Sequence, residues 1–160
     1  MKKDGEMKIY LDTCCYGRPY DEVRHSQERV ETEVEIILDV VGLCKALGFP
    51  ILGSITLKNE IYAISDAQKR RDIVMFYNYA VSEHVKMTND IFCKAQELNV
   101  PGMKKGDPFH AAHAEAANAM FLLTTDAKFE SAAAKLNLSV KVITPINFLP
   151  EVERWKRLLT

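Results

Sequence analysis

Three aspartates stand at positions where an α/β protein can carry out chemistry. Asp12 ends one short apolar run, Asp126 follows another, and Asp107 opens the helical segment that leads into the second run. Ligands of open α/β sheets bind beyond the carboxyl ends of the strands, so these carboxylates are predicted to lie at one edge. Each also has a simpler explanation, because Asp is common in turns after strands and Asp107 before Pro108 can cap a helix.

Glu60 is a fourth candidate, on the helix predicted after the second strand. It borders an apolar stripe formed by Leu57, Ile61 and Ile64, so its carboxylate is expected to point partly toward the sheet edge, although a helical Glu can also simply face solvent. Several carboxylates in one crevice repel one another unless a cation lies among them. Oxygen-rich, sulfur-free donors suit Mg²⁺ or Mn²⁺, and either ion can activate a water for attack on a phosphodiester.

Short apolar runs that alternate with helical periodicity position these acids. Strands are predicted over residues 8–12, 50–55, 85–87, 121–125 and 140–143, and a loop over residues 18–21. Helices are predicted over residues 26–47, 56–65, 67–81, 89–98, 108–120, 130–136 and 150–158. This alternation indicates an α/β fold with a parallel-stranded central sheet sandwiched by helices. The chain has no linker or repeat, so residues 1–160 are expected to form a single domain.

The overall charge excludes a strongly basic nucleic-acid clamp. Lys and Arg number 21 against 22 for Asp and Glu, which gives a formal net charge of −1. A polyanion would therefore have to be held by a local patch or through a bound cation. The length of 160 residues, 48% of them hydrophobic, allows a core that needs no disulfides, which excludes disulfide-stabilised miniproteins and disordered chains.

The cysteines and the apolar segments give no sign of secretion or membrane insertion. The four cysteines lack C-x-x-C and zinc-ribbon spacing, and they are Cys14, Cys15, Cys44 and Cys93. We interpret the adjacent Cys14 and Cys15 as small buried side chains beside a strand end, with a redox pair as the alternative. The first residues contain no apolar core of signal-peptide length, and the longest apolar stretch, residues 36–47, is shorter than the ~20 residues of a membrane span. A cytoplasmic protein that does not associate with a membrane is expected.

Two other kinds of site are weighed against the carboxylate cluster. His110 and His113 lie one turn apart and suggest zinc, but no third ligand follows at a fixed spacing. The simpler expectation is that they pack within the helix layer and contact residues that bind the metal. An aspartyl-phosphatase would use Asp12 as a covalent nucleophile. That chemistry wants a second Asp two residues later, where this chain has Cys14.

Five short motifs stand in a fixed order along nearly the whole chain. They lie at residues 9–13, at Ser54 with Glu60 six residues later, and at residues 107–114, 123–129 and 142–149. The first is an apolar strand ending in Asp and Thr, the third is an Asp before an alanine-rich helix, and the fourth is a T-x-D followed shortly by Phe. Together these motifs resemble the PIN-domain family of metal-dependent nucleases.

The resemblance implies a parallel sheet between helices and an acidic pocket that binds Mg²⁺ or Mn²⁺. The metal ligands that it implies are Asp12, Glu60, Asp107 and Asp126. It also implies a catalytic role for the same four carboxylates, with Thr124 or Thr13 as an orienting hydroxyl. The implied reaction is hydrolysis of single-stranded RNA by an endoribonuclease. A homodimer and a toxin neutralised by a cognate antitoxin are the implied assemblies.

One departure from the family pattern concerns a cation. Lys128 stands where the family often has a further Asp before the Phe of the fourth motif, so one metal ion is expected and a second is left open. Arg18, Lys104 and Lys105 flank the predicted pocket in sequence and, with Lys128, are candidate contacts to RNA, with solvated surface charge as the alternative. A non-catalytic module that binds RNA or a protein through a weakened metal site is the alternative to the enzyme.

Overall fold

A five-stranded parallel sheet forms the centre of the molecule, in a computed structural model that describes residues 7–21 and 27–160. The strands are β1 (Ile9–Leu11), β2 (Ile51–Ser54), β3 (Glu83–Val85), β4 (Phe121–Leu123) and β5 (Lys141–Ile143). Their order across the sheet is β3-β2-β1-β4-β5, and every neighbouring pair is parallel. The prediction of an α/β fold with a parallel central sheet is confirmed.

Eight α-helices in the described residues flank this sheet. They are α1 (Thr13–Gly17), α2 (Gln27–Leu47), α3 (Ile55–Tyr62), α4 (Ala67–Ala80), α5 (Asn89–Glu97), α6 (Asp107–Ala116), α7 (Ala127–Ala134) and α8 (Pro145–Leu158). A 3₁₀ turn, Arg18–Tyr20, follows α1. Helix α2 packs against α8, and α5 packs against α6. No helix within residues 7–21 and 27–160 is both long and apolar enough to cross a membrane.

The central strand β1 decides where a site can form. All three of its residues are fully buried, as expected for a short apolar strand covered on both faces. It pairs with β2 on one side and with β4 on the other, where Leu11 is in register with Leu123. The neighbouring strands β2 and β4 therefore lie on opposite sides of β1. Open α/β sheets bind ligands in the crevice at such a switch point. The residues that follow β1, β2 and β4 meet there.

The segment that follows β1 is helical, and it includes most of the predicted loop at residues 18–21. Residues 13–17 form α1 directly after β1, and the predicted loop at 18–21 contains the 3₁₀ turn. Asp12 begins α1, because its backbone is extended and its side chain accepts a hydrogen bond from the Thr13 N–H. The five-residue helix is too short to show apolar periodicity, which is why the sequence did not predict it. The predicted start of the next helix, at Ser26, lies outside the described residues.

Several other boundaries differ from the prediction for identifiable reasons. Strand β3 lies two residues earlier than predicted, and α6 ends at Ala116 rather than at 120, before Asn118 adopts a positive φ of 59°. Helix α7 begins at Ala127 because Asp126 caps it, and α8 begins at Pro145, a favourable first helical residue. The predicted starts at 130 and 150 were therefore late.

Candidate metal centre

Three side chains from separate elements converge at the carboxyl end of β1. Asp12, Glu60 and His110 each offer one ligand atom, and these atoms all lie within 4.8 Å of one another. His110 Nε2 is 2.7 Å from Glu60 Oε1 and 3.3 Å from Asp12 Oδ1. Asp12 and His110 are buried, and Glu60 is half-buried. The group could hold a metal ion.

The carboxylate of Asp12 is fixed by hydrogen bonds to both of its oxygens. Oδ1 accepts the Thr13 N–H at 2.7 Å, and Oδ2 accepts the Thr124 hydroxyl at 2.8 Å. The Thr124 hydroxyl oxygen in turn accepts the Asp126 N–H at 3.1 Å. The sequence prediction named Thr124 or Thr13 as an orienting hydroxyl, and the structure places Thr124 in contact with Asp12. These contacts orient the carboxylate toward the crevice.

Glu60 enters the cluster because of how α3 begins. The Ser54 hydroxyl caps this helix by accepting the Leu57 N–H at 3.2 Å. Glu60 Oε1 then accepts hydrogen bonds from the Thr13 hydroxyl at 2.5 Å and from His110. Burial disfavours its charge, but the hydrogen bond and charge of His110, with the Thr13 hydroxyl, bring the pKa of Glu60 below its usual range. Glu60 is therefore ionised at neutral pH.

Asp107 lies beside the cluster, and the charges of the neighbouring carboxylates act on it. It opens α6, is buried, and accepts the Lys104 N–H at 2.8 Å through Oδ2. Burial is the main reason that the pKa of Asp107 rises to about 6, and the charges of Asp12 and Asp126 raise it further. Within the described residues, the ligand atoms of Asp107 and Asp126 are not among those that lie within 4.8 Å of one another. Asp107 borders the tight group rather than joining it.

Asp126 caps α7, whereas the simpler role predicted for it was that of a turn-forming residue. Its side chain accepts the Lys128 N–H at 3.0 Å at the start of α7. The ammonium group of Lys104 also lies 3.5 Å from Asp126 Oδ2. Because its N–H is bound to Thr124, Asp126 stays connected to Asp12 through that threonine. The four predicted carboxylates thus divide into two in the tight group and two at its border.

His110 joins the carboxylates, whereas the neighbouring His113 does not. The sequence treated both histidines as a zinc pair or as packing residues. His113 Nε2 lies 3.0 Å from the Thr56 hydroxyl, and burial with the nearby His110 lowers the pKa of His113 to about 4. The signal for His110 was its spacing, since a residue three positions after Asp107 lies on the same helix face.

Two hydroxyl groups form a hydrogen-bonded chain that ends at the Nδ1 atom of His110. The Tyr10 hydroxyl lies 2.6 Å from His110 Nδ1 and 2.7 Å from the Ser54 hydroxyl. Burial opposes a charge on the ring, but the carboxylates of Asp12, Glu60 and Asp107 raise the pKa of His110 above its usual value. With Glu60 ionised, Nε2 carries a proton, and Nδ1 accepts the Tyr10 O–H when the ring is neutral. If both hydroxyls reverse, Nδ1 becomes the donor and the Nε2 lone pair faces the carboxylates. Neutral imidazole binds metals in that form.

The predicted RNA-contacting cations lie on two sides of the cluster. Arg18, Lys104 and Lys128 line a groove of about 610 Å³ next to Asp126. Lys105 lies elsewhere, in a more apolar groove beside Glu60. The first groove also contains Arg29, which the sequence analysis did not single out.

No protein-family model matches this chain, and no curated protein matches it either. The resemblance to PIN domains therefore stays a prediction from the sequence motifs. The arrangement itself provides a buried acid and histidine group that could bind a metal ion, at the switch point of a parallel sheet.

Proposed function

We propose that this protein is a metal-dependent endoribonuclease of the PIN type, which hydrolyses phosphodiester bonds of single-stranded RNA. The observation that carries the proposal is the convergence of Asp12, Glu60 and His110 within 4.8 Å at the switch point of the sheet. The sequence motifs support the ribonuclease activity, and the geometry supports a metal centre. Mg²⁺ and Mn²⁺ are the ions proposed, because carboxylate oxygens dominate the donors.

The charges at the site fit a cation. Asp107 and Asp12 are both buried, and the repulsion between them contributes to the raised pKa of Asp107. Asp12, Glu60 and His110 would hold the ion, with Asp107 and Asp126 at its border. When bound, such an ion activates a water molecule and stabilises the negative charge that develops on the phosphodiester.

The surrounding residues of the chain orient the acidic groups. Thr13 and Thr124 hold Asp12 from opposite oxygens, and the Thr13 hydroxyl also fixes Glu60. Since these donors are supplied by the ends of β1 and β4, the carboxylates are held before any substrate arrives. Preorganised groups of this kind lower the barrier because they need no rearrangement during the reaction.

A second candidate function is a non-catalytic binding module, and one observation favours it. His110 already bridges Asp12 and Glu60, and the Lys104 ammonium already pairs with Asp126. Cationic or polar groups of the chain itself thus pair with part of the acidic site. In this case the chain would bind RNA or a protein but would not cleave. The homodimer, the role as a toxin and the cognate antitoxin remain predictions of the resemblance.

The test is cleavage of a panel of labelled single-stranded RNAs with Mn²⁺, with Mg²⁺ and with EDTA. The purified chain should cut in either metal and not in EDTA. Asp12→Asn should lower the rate by about 100-fold or more, because it removes a charge at the centre of the site. Asp66→Asn is the matched control, since Asp66 also caps a helix, α4, and is exposed. Wild-type cleavage by Asp12→Asn would refute the site, and metal binding without cleavage would favour the binding module.

A further inference from the structure

A buried carboxylate lies between two arginines at the end of the sheet. Glu33, on α2, is 1% exposed, and its Oε1 lies 3.6 Å from Arg18 Nε and 3.5 Å from Arg29 Nε. This oxygen makes no hydrogen bond within the described part of the chain. Burying a carboxylate is costly unless it is paired, and here the two arginines supply the pairing charges.

The two arginines extend from this carboxylate into a groove. Both line the groove beside Asp126, and the side chain of Arg29 is 53% exposed. Arg29 Nη2 approaches the backbone oxygen of Thr125 at 3.5 Å, and Arg18 Nη1 donates to Asp21 at 3.1 Å. Since each Nε faces Glu33, the carboxylate restricts how both guanidinium groups are directed.

The groove adjoins the proposed metal centre through Cys14. Cys14 lines it, and the Cys14 sulfur lies 3.4 Å from Asp12 Oδ2. Among the described residues, four cationic side chains and the carboxylate of Asp126 line the groove, and the four are Arg18, Arg29, Lys104 and Lys128. In a chain with a formal net charge of −1, this is a local positive patch beside an acidic site.

We propose that Arg18 and Arg29, positioned by Glu33, bind a backbone phosphate of the RNA strand next to the phosphate that is cleaved. The inference rests on the proposed function and names a subsite for its substrate. The planar guanidinium group matches phosphate oxygens in a bidentate manner, and it does so best when its orientation is fixed. Glu33 is a positioning residue, because it acts through the arginines and does not contact the strand.

The first test is binding of a labelled random pool of short single-stranded RNA in EDTA, measured by fluorescence anisotropy. Arg29→Ala should weaken binding about tenfold at low salt, and it should lower the slope of log K against log salt by about 0.7. Arg29→Lys keeps the charge but loses the planar fork, so it should bind more weakly than the wild type.

Arg71→Ala is the matched control for these variants. Arg71 is an exposed arginine on α4 that donates to Gln68, and its removal lowers the net charge by the same amount. This variant should bind RNA like the wild type. An Arg29→Ala chain that binds as tightly as Arg71→Ala, or a wild type that does not bind, would overturn the inference.

Glu33→Gln separates positioning from charge. Removing a negative charge beside the groove would strengthen RNA binding if electrostatics alone mattered. If Glu33 directs the arginines, the variant should instead bind RNA more weakly while its unfolding transition stays cooperative. Tighter binding would contradict the positioning role. If the variant does not fold, Arg29→Lys decides the same point, because equal binding by Arg29→Lys would show that orientation is irrelevant.

The outcome is separate from that of the proposed function. Binding is measured without metal, whereas hydrolysis by the wild type is measured with Mn²⁺ on the RNA panel. Wild-type cleavage together with unchanged binding by Arg29→Ala would remove the subsite and leave the nuclease. Weakened binding by Arg29→Ala together with absent cleavage would leave the subsite and favour a binding module.

Discussion

The ionised carboxylate of Asp107 lowers the folding stability of the chain because of its position at the border of the site. An unfolded Asp has a pKa of about 3.9, whereas burial and the charges of Asp12 and Asp126 raise the pKa of Asp107 to about 6. The folded chain therefore binds this proton more tightly than the unfolded chain does. Its contribution to stability consequently falls as the pH rises from about 4 to 6, and it stays low above that range.

Asp107→Asn should remove this pH-dependent cost. In EDTA, the variant should equal the wild type in stability near pH 4 and exceed it by about 1–3 kcal/mol above pH 6. The amide oxygen can still accept the Lys104 N–H, so the start of α6 is preserved. Urea unfolding at a series of pH values measures the difference. A difference that does not change with pH would contradict the assignment.

At the level of single residues, the sequence could identify the acids but not their partners. Asp12 was predictable because an Asp directly after a buried strand lies at the ligand-binding edge. The place of His110 between Asp12 and Glu60 depends on the distance between α3 and α6, which no local pattern encodes. The alternative role predicted for Asp126 was a turn-forming residue after a strand, and the structure shows that it caps α7 instead.

At the level of elements, the start of α6 lies directly against Glu60. A Cβ atom at Gly106 would overlap with Glu60 Oε2. The backbone of Gly106 is already helical, with φ −82° and ψ −19°, so alanine is acceptable for the main chain. The glycine is therefore needed for the side chain of Glu60 and not for the turn.

Gly106→Ala should displace Glu60 and weaken Mn²⁺ binding by about 10- to 100-fold, with little change in stability. Gly42→Ala is the control, because a Cβ at Gly42 in α2 would meet nothing within 4 Å. That control should keep the wild-type affinity and gain about 0.5–1 kcal/mol, since alanine favours a helix interior. Isothermal titration of the metal-free proteins with Mn²⁺ measures both. Unchanged affinity in Gly106→Ala would argue against Glu60 as a ligand.

Elements with a clear apolar pattern were predictable from sequence, whereas helix starts that depend on a single residue were not. Helix α2 has a repeated apolar stripe, and its end at Leu47 was predicted from the following Gly48, which has a positive φ of 74°. Helix α1 has only five residues, and α8 begins at Pro145, before the predicted start. In both cases a single residue, Asp12 or Pro145, decides where the helix begins.

At the level of the whole molecule, the near-zero net charge correctly excluded an overall basic surface but could not show where charges gather. Lys128 is far in sequence from Arg18 and Arg29, and it meets them in one groove only because α2 and α7 approach the end of β4. Glu33 would be interpreted as a solvated helix residue from sequence, since its burial depends on this same arrangement. Long-range placement of charges is thus what the sequence alone did not provide.

Metal binding should stabilise the whole fold, because the ligands come from three separate elements, namely β1 with its following residue, α3 and α6. A ligand at about 100 times its dissociation constant adds about 2.7 kcal/mol to the stability of the folded state. For a chain of this size, that corresponds to a rise in Tm of about 5–10 °C. Mn²⁺ should therefore raise the Tm of the wild type progressively with concentration, and EDTA should reverse the rise.

Glu60→Gln distinguishes the proposed centre from general binding of cations to acidic surface. The variant keeps the size of the side chain but removes a charged ligand, so most of the Mn²⁺-dependent rise in Tm should disappear. Glu97→Gln is the matched control, because Glu97 is an exposed helical glutamate on α5 that pairs with Lys94. It should retain the full rise. An equal rise in both variants would show that Mn²⁺ binds elsewhere. No rise in the wild type would remove the metal centre, and with it the observation on which the nuclease proposal depends.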